Sequence, residues 1–408
     1  MIRLVKLFFS DILARAFPFL LLPVVSQYLS VVEFSQLGLY QNALMIFVVF
    51  IGFGLNNIVS ISVGKNEKKV AQYIYQTVIF SVFSFAVINM LITLFDFDVV
   101  YRYAVIVAFL NFYILLIKDI LIVKGEINKI LISNVVYIFI LYSMFICFLR
   151  FELGYTSRFY SDVIAAFAYV FLSTFLIKEL IYNWLSSCKI NKKHYFDINH
   201  SIVAIPLMLR QLYPWIKTAI ERYVISSVST LTVLGQYTLA FQVVSLIGAV
   251  IGTLISYFTP RLYSYLNTND YVSYRKIVIR LTGLFIIVIA SLTTILPYLI
   301  EFFFDVNYQG ANDYVILISL SYSFFWLQTV FWSFFSYYKK SIFPLITQLT
   351  LLIILIACAI TVNDIFTFLK VGLCLEFLAL VILSGYWSLC ISKLKSDSLS
   401  KANGARMC

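Results

Sequence analysis

Charge is scarce in this chain: Asp, Glu, Lys and Arg together make up 12% of 408 residues, while 62% are apolar. With a mean hydropathy of +0.95, such a chain has too little polar surface to enclose a water-soluble core, and apolar runs follow one another with only short polar breaks. Histidine is nearly absent, His194 and His200 falling in one short loop, and the six cysteines, Cys147, Cys188, Cys358, Cys374, Cys390 and Cys408, include no Cys-x-x-Cys pair. Neither a metal centre nor a disulfide frame follows from that spacing; small packing residues are the simpler reading. There is no G-x-x-x-x-G-K-[ST] loop and no polar stretch long enough to fold outside a membrane, so neither a nucleotide, nor another cofactor, nor a set of catalytic residues is expected.

What is present instead is hydrocarbon. Allowing about 20 residues per crossing, the apolar runs predict roughly twelve transmembrane helices near 5–30, 36–63, 72–95, 101–123, 130–149, 159–184, 200–227, 233–258, 277–300, 313–337, 342–361 and 366–391. The first run, from Val5, is followed by more of the same rather than by a polar chain, so it reads as a retained span and not a cleaved signal. A net charge of +11 would suggest nucleic acid in a soluble protein, but without a soluble domain no nucleic acid partner is expected. Topology accounts for it. Lys and Arg gather in alternate loops: Arg3 and Lys6, Lys65 to Lys69, Lys124 and Lys129, Lys189 to Lys193, Arg261 to Lys276, Lys339 and Lys340, and Lys393 to Arg406. The other loops hold only Arg102, Arg150 and Arg158, beside acids such as Asp96, Asp98, Glu301, Asp305 and Asp364. The positive-inside bias puts both termini in the cytoplasm and makes the helix number even.

A repeat halves the chain. VVEFSQLGLYQNALMIF at the second helix and LTVLGQYTLAFQVVSL at the eighth share Gly-x-Tyr, Gly38 and Tyr40 against Gly235 and Tyr237, an offset of 235 − 38 = 197. Each follows a helix with two prolines, Pro18 and Pro23 in the first, Pro206 and Pro214 in the seventh. Two copies of six helices enter the membrane the same way up, which gives lobes related by a parallel pseudo-two-fold around a central cavity and suits alternating access. The expected organisation is an all-α polytopic membrane protein with lobes at 1–185 and 200–392, a cytoplasmic linker at 186–199 and a cytoplasmic tail at 393–408. The four prolines remove backbone bonds inside helices one and seven and are candidate hinges.

The charges inside the spans form a pattern. Arg210, Lys217 and Glu221, in LRQLYPWIKTAIERY, fall within about 40° of one another around the helix axis, and Arg222 lies roughly 120° from Arg210, toward the external edge. Arg210 sits about 15 Å into its span, near the bilayer centre, where exposure to lipid would be costly, and has no acid at i±3 or i±4. Arg15, four residues after Asp11, is about 15 Å into the first helix, and 210 − 15 = 195 is close to the repeat offset. Lys118 and Asp119 add a pair in the fourth helix, and Glu376 is an acid at mid-depth in the twelfth, suited either to ion coupling or to contact with a polar neighbour helix. Pairing of Asp11 with Arg15, Lys217 with Glu221 and Lys118 with Asp119 is the structural explanation of the set. The functional one is an anion path in which Arg15, Arg210, Lys217, Lys118 and Arg222 meet phosphate or pyrophosphate through forked charge-assisted bonds, with Asp11, Asp119, Glu221 and Glu376 as balancing or coupling acids.

The runs EFSQLGLYQNALMIFVVFIGFGLNNIVSISVGK, Glu33 to Lys65, and VLGQYTLAFQVVSLIGAVIGTLISYFTPRLYS, Val233 to Ser264, with ERYVI at Glu221 to Ile225, resemble the polysaccharide transporter family of lipid-linked oligosaccharide flippases. That family lies in the superfamily of multidrug, oligosaccharidyl-lipid and polysaccharide exporters. The resemblance implies a bacterial inner-membrane flippase carrying an undecaprenyl-pyrophosphate-linked O-antigen or capsule repeat unit from the cytoplasmic to the periplasmic leaflet, in company with polysaccharide polymerase machinery. It also implies a cationic cavity lined by the first two helices of each lobe, which Arg15 and Arg210 fit. Where the family commonly has aspartate before arginine, this chain has Glu221 before Arg222, and it lacks the extra C-terminal helices of lipid II flippases, which argues against a peptidoglycan precursor. Without a nucleotide loop, energy would come from an ion gradient or from removal of product. Two rivals remain: a multidrug or cation exporter of the same fold, which calls for buried acids, and a polytopic oligosaccharide polymerase, which calls for a large external loop with arginines.

Overall fold

The computed structural model describes residues 21–64, 70–176, 198–338, 342–362 and 364–404, together with residues 178 and 340. Asp11, Arg15, Pro18, Lys65 to Lys69 and the expected linker up to residue 197 lie outside the described residues. No strand occurs among the described residues. The helices are α1 (21–28), α2 (Val31–Gly52), α3 (Leu55–Gly64), α4 (Val70–Leu94), α5 (Val99–Lys124), α6 (Ile127–Arg150), α7 (Thr156–Leu176), α8 (Ile198–Val228), α9 (Leu231–Asn267), α10 (Tyr271–Phe303), α11 (Asn312–Tyr337), α12 (Ile342–Thr361) and α13 (Ile365–Gly404).

Among the described residues, 10 segments are long and apolar enough to cross a membrane. Their polarity is turned inside out relative to a soluble protein: Phe171 and Ile360 are 80% and 81% exposed, while Ser133 and Ser173 are buried. The Ser173 hydroxyl donates to Ser133 Oγ at 3.0 Å, joining α7 to α6. Apolar side chains outside and satisfied hydroxyls between helices are what a hydrocarbon solvent demands. The chain is a multi-pass membrane protein.

It forms two compact units, 1–235 and 236–408. In the first, α2 packs along α5 and α8, α3 along α5 and α8, and α7 along α5 and α6. Helix α8, which the repeat assigns to the second lobe, thus packs with helices of the first. Val49, Met208 and Leu212 form one buried cluster with Phe53 and Trp215 against it, and Leu55, Ile58 and Ala204 form another. In the second unit, α11 packs on α10 and α13, and α12 on α13.

The span expected at 36–63 is two helices. Phe53 and Gly54 take left-handed φ values of 47° and 70°, which ends α2 and starts α3. A Cβ on Gly54 would sit 2.7 Å from the Ala204 carbonyl oxygen and 2.9 Å from the Met208 nitrogen. Gly54 therefore supplies both the turn and the close approach of α8. A Gly54→Val variant is expected to lose about 1–2 kcal/mol to left-handed strain and about 1–3 kcal/mol to overpacking. The measurement is the midpoint of thermal unfolding of the purified protein, with Gly283→Val as the control, since nothing lies within 4 Å of a Cβ there.

The long loop expected at 260–276 is mostly helix. Helix α9 runs on to Asn267 and α10 begins at Tyr271, because hydropathy ends at the membrane surface while the helix continues into water. Asp270 caps α10, its Oδ1 accepting from Ser273 N at 3.0 Å. The side-chain and backbone hydrogen bonds from Ser273 hold its carboxyl below the usual carboxylate range.

Both helices that carry Gly-x-Tyr open on a hydroxyl cap, although the caps are 200 residues apart and the motifs 197. Ser30 caps α2, its Oγ accepting from Glu33 N at 3.2 Å while the Glu33 carboxylate accepts from Ser30 N at 2.9 Å. Thr230 occupies the same place before α9, its Oγ1 accepting from Val233 N at 3.4 Å. The second turn keeps the hydroxyl cap but has Val233 where a carboxylate would close the box.

Candidate functional site

Helix α8 runs unbroken through Pro206 and Pro214. The Pro214 ring removes one i→i−4 bond, and its carbonyl accepts from Thr218 Oγ1 at 2.7 Å. Between the prolines, Arg210 is half-buried. About two and three turns further along the helix, Lys217 and Glu221 are buried and pair at 3.9 Å. Arg222 is buried too, and its Nη1 donates to the Gly38 carbonyl of α2. The 120° offset that set Arg222 apart from the stripe turns it toward α2. Along one helix, then, a half-buried cation stands above a buried ion pair and a guanidinium clasp.

The Gly-x-Tyr motif is the other side of that clasp. Gly38 accepts from Arg222, and two residues on, Tyr40 Oη donates to Asp162 Oδ2 at 3.1 Å. Asp162 also accepts from Arg158 Nε at 3.1 Å, and Arg158 lies over the Tyr142 and Phe145 rings at 5.4 and 5.5 Å. Sequence reasoning placed Arg158 in an external loop and passed over Asp162. The available signal was their i, i+4 spacing in RFYSD. Tyr40→Phe deletes one hydrogen bond to a buried carboxylate while keeping the ring, so a loss of about 1 kcal/mol in stability is expected, read from the thermal midpoint of purified protein.

Several other expected residues among those described have protein partners nearby. Asp119 Oδ2 accepts from Asn56 Nδ2 at 3.1 Å, tying α5 to α3, and Lys118 beside it is half-buried. The Pro23 carbonyl accepts from Ser26 Oγ at 2.9 Å in α1. Glu376, in the second unit, is buried; Gln328 Nε2 donates to its Oε2 at 2.8 Å and Gln348 Nε2 to Gln328 Oε1 at 3.4 Å. This carboxylate–carboxamide chain joins α11, α12 and α13. Arg210, Lys217, Glu221 and Arg222 share one helix of the first unit, whereas Glu376 belongs to a separate network. No group of three His, Cys, Asp or Glu able to hold a metal occurs among the described residues.

A family model described as polysaccharide biosynthesis protein matches residues 5–265. The chain belongs to that family. The match spans α1 to most of α9, and so includes Arg210, the Lys217–Glu221 pair and both Gly-x-Tyr motifs. Among solved structures, the chain is similar to an outward-facing multidrug resistance MATE transporter of the MOP superfamily, with TM-score 0.72 and 14% identity over 96% of each chain. It is similar also to the Vibrio cholerae MATE transporter VcmN, at TM-score 0.65 and 13% identity over 96% of each chain. A third is the MATE transporter ClbM in complex with Rb+, at TM-score 0.63 and 13% identity over 97% of each chain. The fold is therefore that of MATE transporters. No curated protein matches in sequence.

Proposed function

We propose that this protein is a bacterial inner-membrane flippase that moves an undecaprenyl-pyrophosphate-linked oligosaccharide from the cytoplasmic to the periplasmic leaflet by alternating access. The observation that carries the reading is the family match over residues 5–265, which contains the half-buried Arg210 of α8. In this scheme Arg210 and Arg15 meet the pyrophosphate, whose paired charged oxygens suit guanidinium forks. The glycan follows through polar surface and the polyprenyl tail stays in lipid. Lys217, Glu221 and Arg222, being buried and engaged inside the first unit, hold α8 in place for Arg210. Asp119 with Lys118 stiffens the contact of α5 with α3, and Glu376 is the group available for ion coupling.

A second reading, export of cationic compounds, is favoured by the likeness to MATE transporters and by the buried carboxylates Asp162 and Glu376. The two part in a deletion strain. Loss of surface polysaccharide with unchanged tolerance to cationic drugs is the expected result; heightened drug sensitivity with normal polysaccharide would favour the exporter.

A further inference from the structure

Between α9 and α10 of the second unit lies an open groove of about 310 Å³. Arg261 of α9 and Lys276 and Arg280 of α10 line it, and all three are exposed. Among the described residues none of the three is in an ion pair. The only acid between Gln236 and Ile300 is Asp270, which caps α10 through Ser273 and, although it feels the charge of Lys276, is not part of the wall. Three like charges around one hollow repel one another, an arrangement that an anion would relieve.

The groove also has a direction. Lys276, Arg280 and Leu284 follow at four-residue intervals along one face of α10, so Arg280 lies about 6 Å deeper than Lys276, and Leu284 about 6 Å deeper again. On α9, Phe258 lies one turn deeper than Arg261. Polar and cationic side chains thus ring the end near the helix–helix turn, and Phe258, Leu281 and Leu284 wall the inner end. Beyond it, Ile287 is exposed. The positive-inside reading puts the turn on the cytoplasmic face. A cationic cup whose inner end is walled by apolar side chains has the polarity of a phospholipid, phosphate first and acyl chain after.

We propose that this groove binds the phosphate of an anionic phospholipid of the cytoplasmic leaflet, with one acyl chain along Phe258, Leu281 and Leu284. The site is separate from Arg210, and its failure would leave the reading of α8 untouched. A free phosphate shares the headgroup chemistry but gains nothing from the apolar end. The test is native mass spectrometry of the full chain released from detergent with phosphatidylglycerol, phosphatidylcholine of the same acyl chains, or inorganic phosphate. Phosphatidylglycerol should be retained over phosphatidylcholine, and equimolar inorganic phosphate should not displace it. Lys276→Gln and Arg280→Gln should each weaken retention about fivefold. Arg275→Gln, which removes an exposed neighbouring charge outside the groove, should change it by less than about twofold. Equal loss in the Arg275 variant, equal retention of the two lipids, or displacement by phosphate would each overturn the proposal.

Discussion

An Arg210→Ala variant is expected to reach the membrane in normal amount and to leave the cell without surface polysaccharide. The size of the effect follows from the bonds at stake. A guanidinium fork on a phosphate makes two charge-assisted hydrogen bonds, each about 1.5–3 kcal/mol. Their loss in a water-poor site should slow translocation roughly a hundredfold or more. Arg210→Lys keeps the charge but offers a point instead of a fork, so it should recover only a small part of the rate. The thermal midpoint of Arg210→Ala, measured beside transport, separates function from scaffolding: a midpoint near the parent's with transport lost assigns Arg210 to the path, and a midpoint several degrees lower assigns it to the scaffold. Normal surface polysaccharide in the alanine variant would remove Arg210 from the path.

The largest stability effect is expected at Lys217 and Glu221. Both are buried and they pair at 3.9 Å. Removing one partner takes from the other its ion pair in a medium that solvates charge poorly, at a cost of about 3–5 kcal/mol. Lys217→Met and Glu221→Met should each lower the thermal midpoint of purified protein sharply and reduce its yield. The double variant exchanges the pair for two apolar side chains of similar length and should return close to the parent. If the double variant also restores surface polysaccharide, the pair is scaffold for α8. Restored stability with no polysaccharide would place Lys217 among the substrate's contacts.

Some of this was legible in the sequence and some was not, for physical reasons. Hydropathy marks where a chain meets lipid, so the spans around α4, α5, α6, α10 and α12 were readable at once. It is blind to what lies beyond the lipid boundary, and so the ends of α9 and α10 read as loop. A window average is equally blind to a one-residue kink, so α2 and α3 merged, although Gly52-Phe53-Gly54 carried the signal. The Lys217–Glu221 pair could be seen because helical geometry brings i and i+4 together. The Arg222 contact could not, since a backbone carbonyl such as that of Gly38 has no letter of its own. Asp162 was missed because Arg158, its partner, sits within the first turn of α7, close enough to the membrane edge to pass for a loop charge. The packing of α8 beside α2 was hidden for another reason: a sequence repeat records descent, whereas contacts record where a long helix comes to rest.

The central claim is that this protein moves a pyrophosphate-linked glycan across a bilayer through Arg210. The direct measurement is translocation in proteoliposomes loaded with undecaprenyl-pyrophosphate-linked oligosaccharide, followed by the growing share of glycan that an external glycosidase can cut. The parent protein should raise that rate well above empty vesicles, and Arg210→Ala should fall back to them. A parent no faster than empty vesicles, or an Arg210→Ala variant as fast as the parent, would contradict the account.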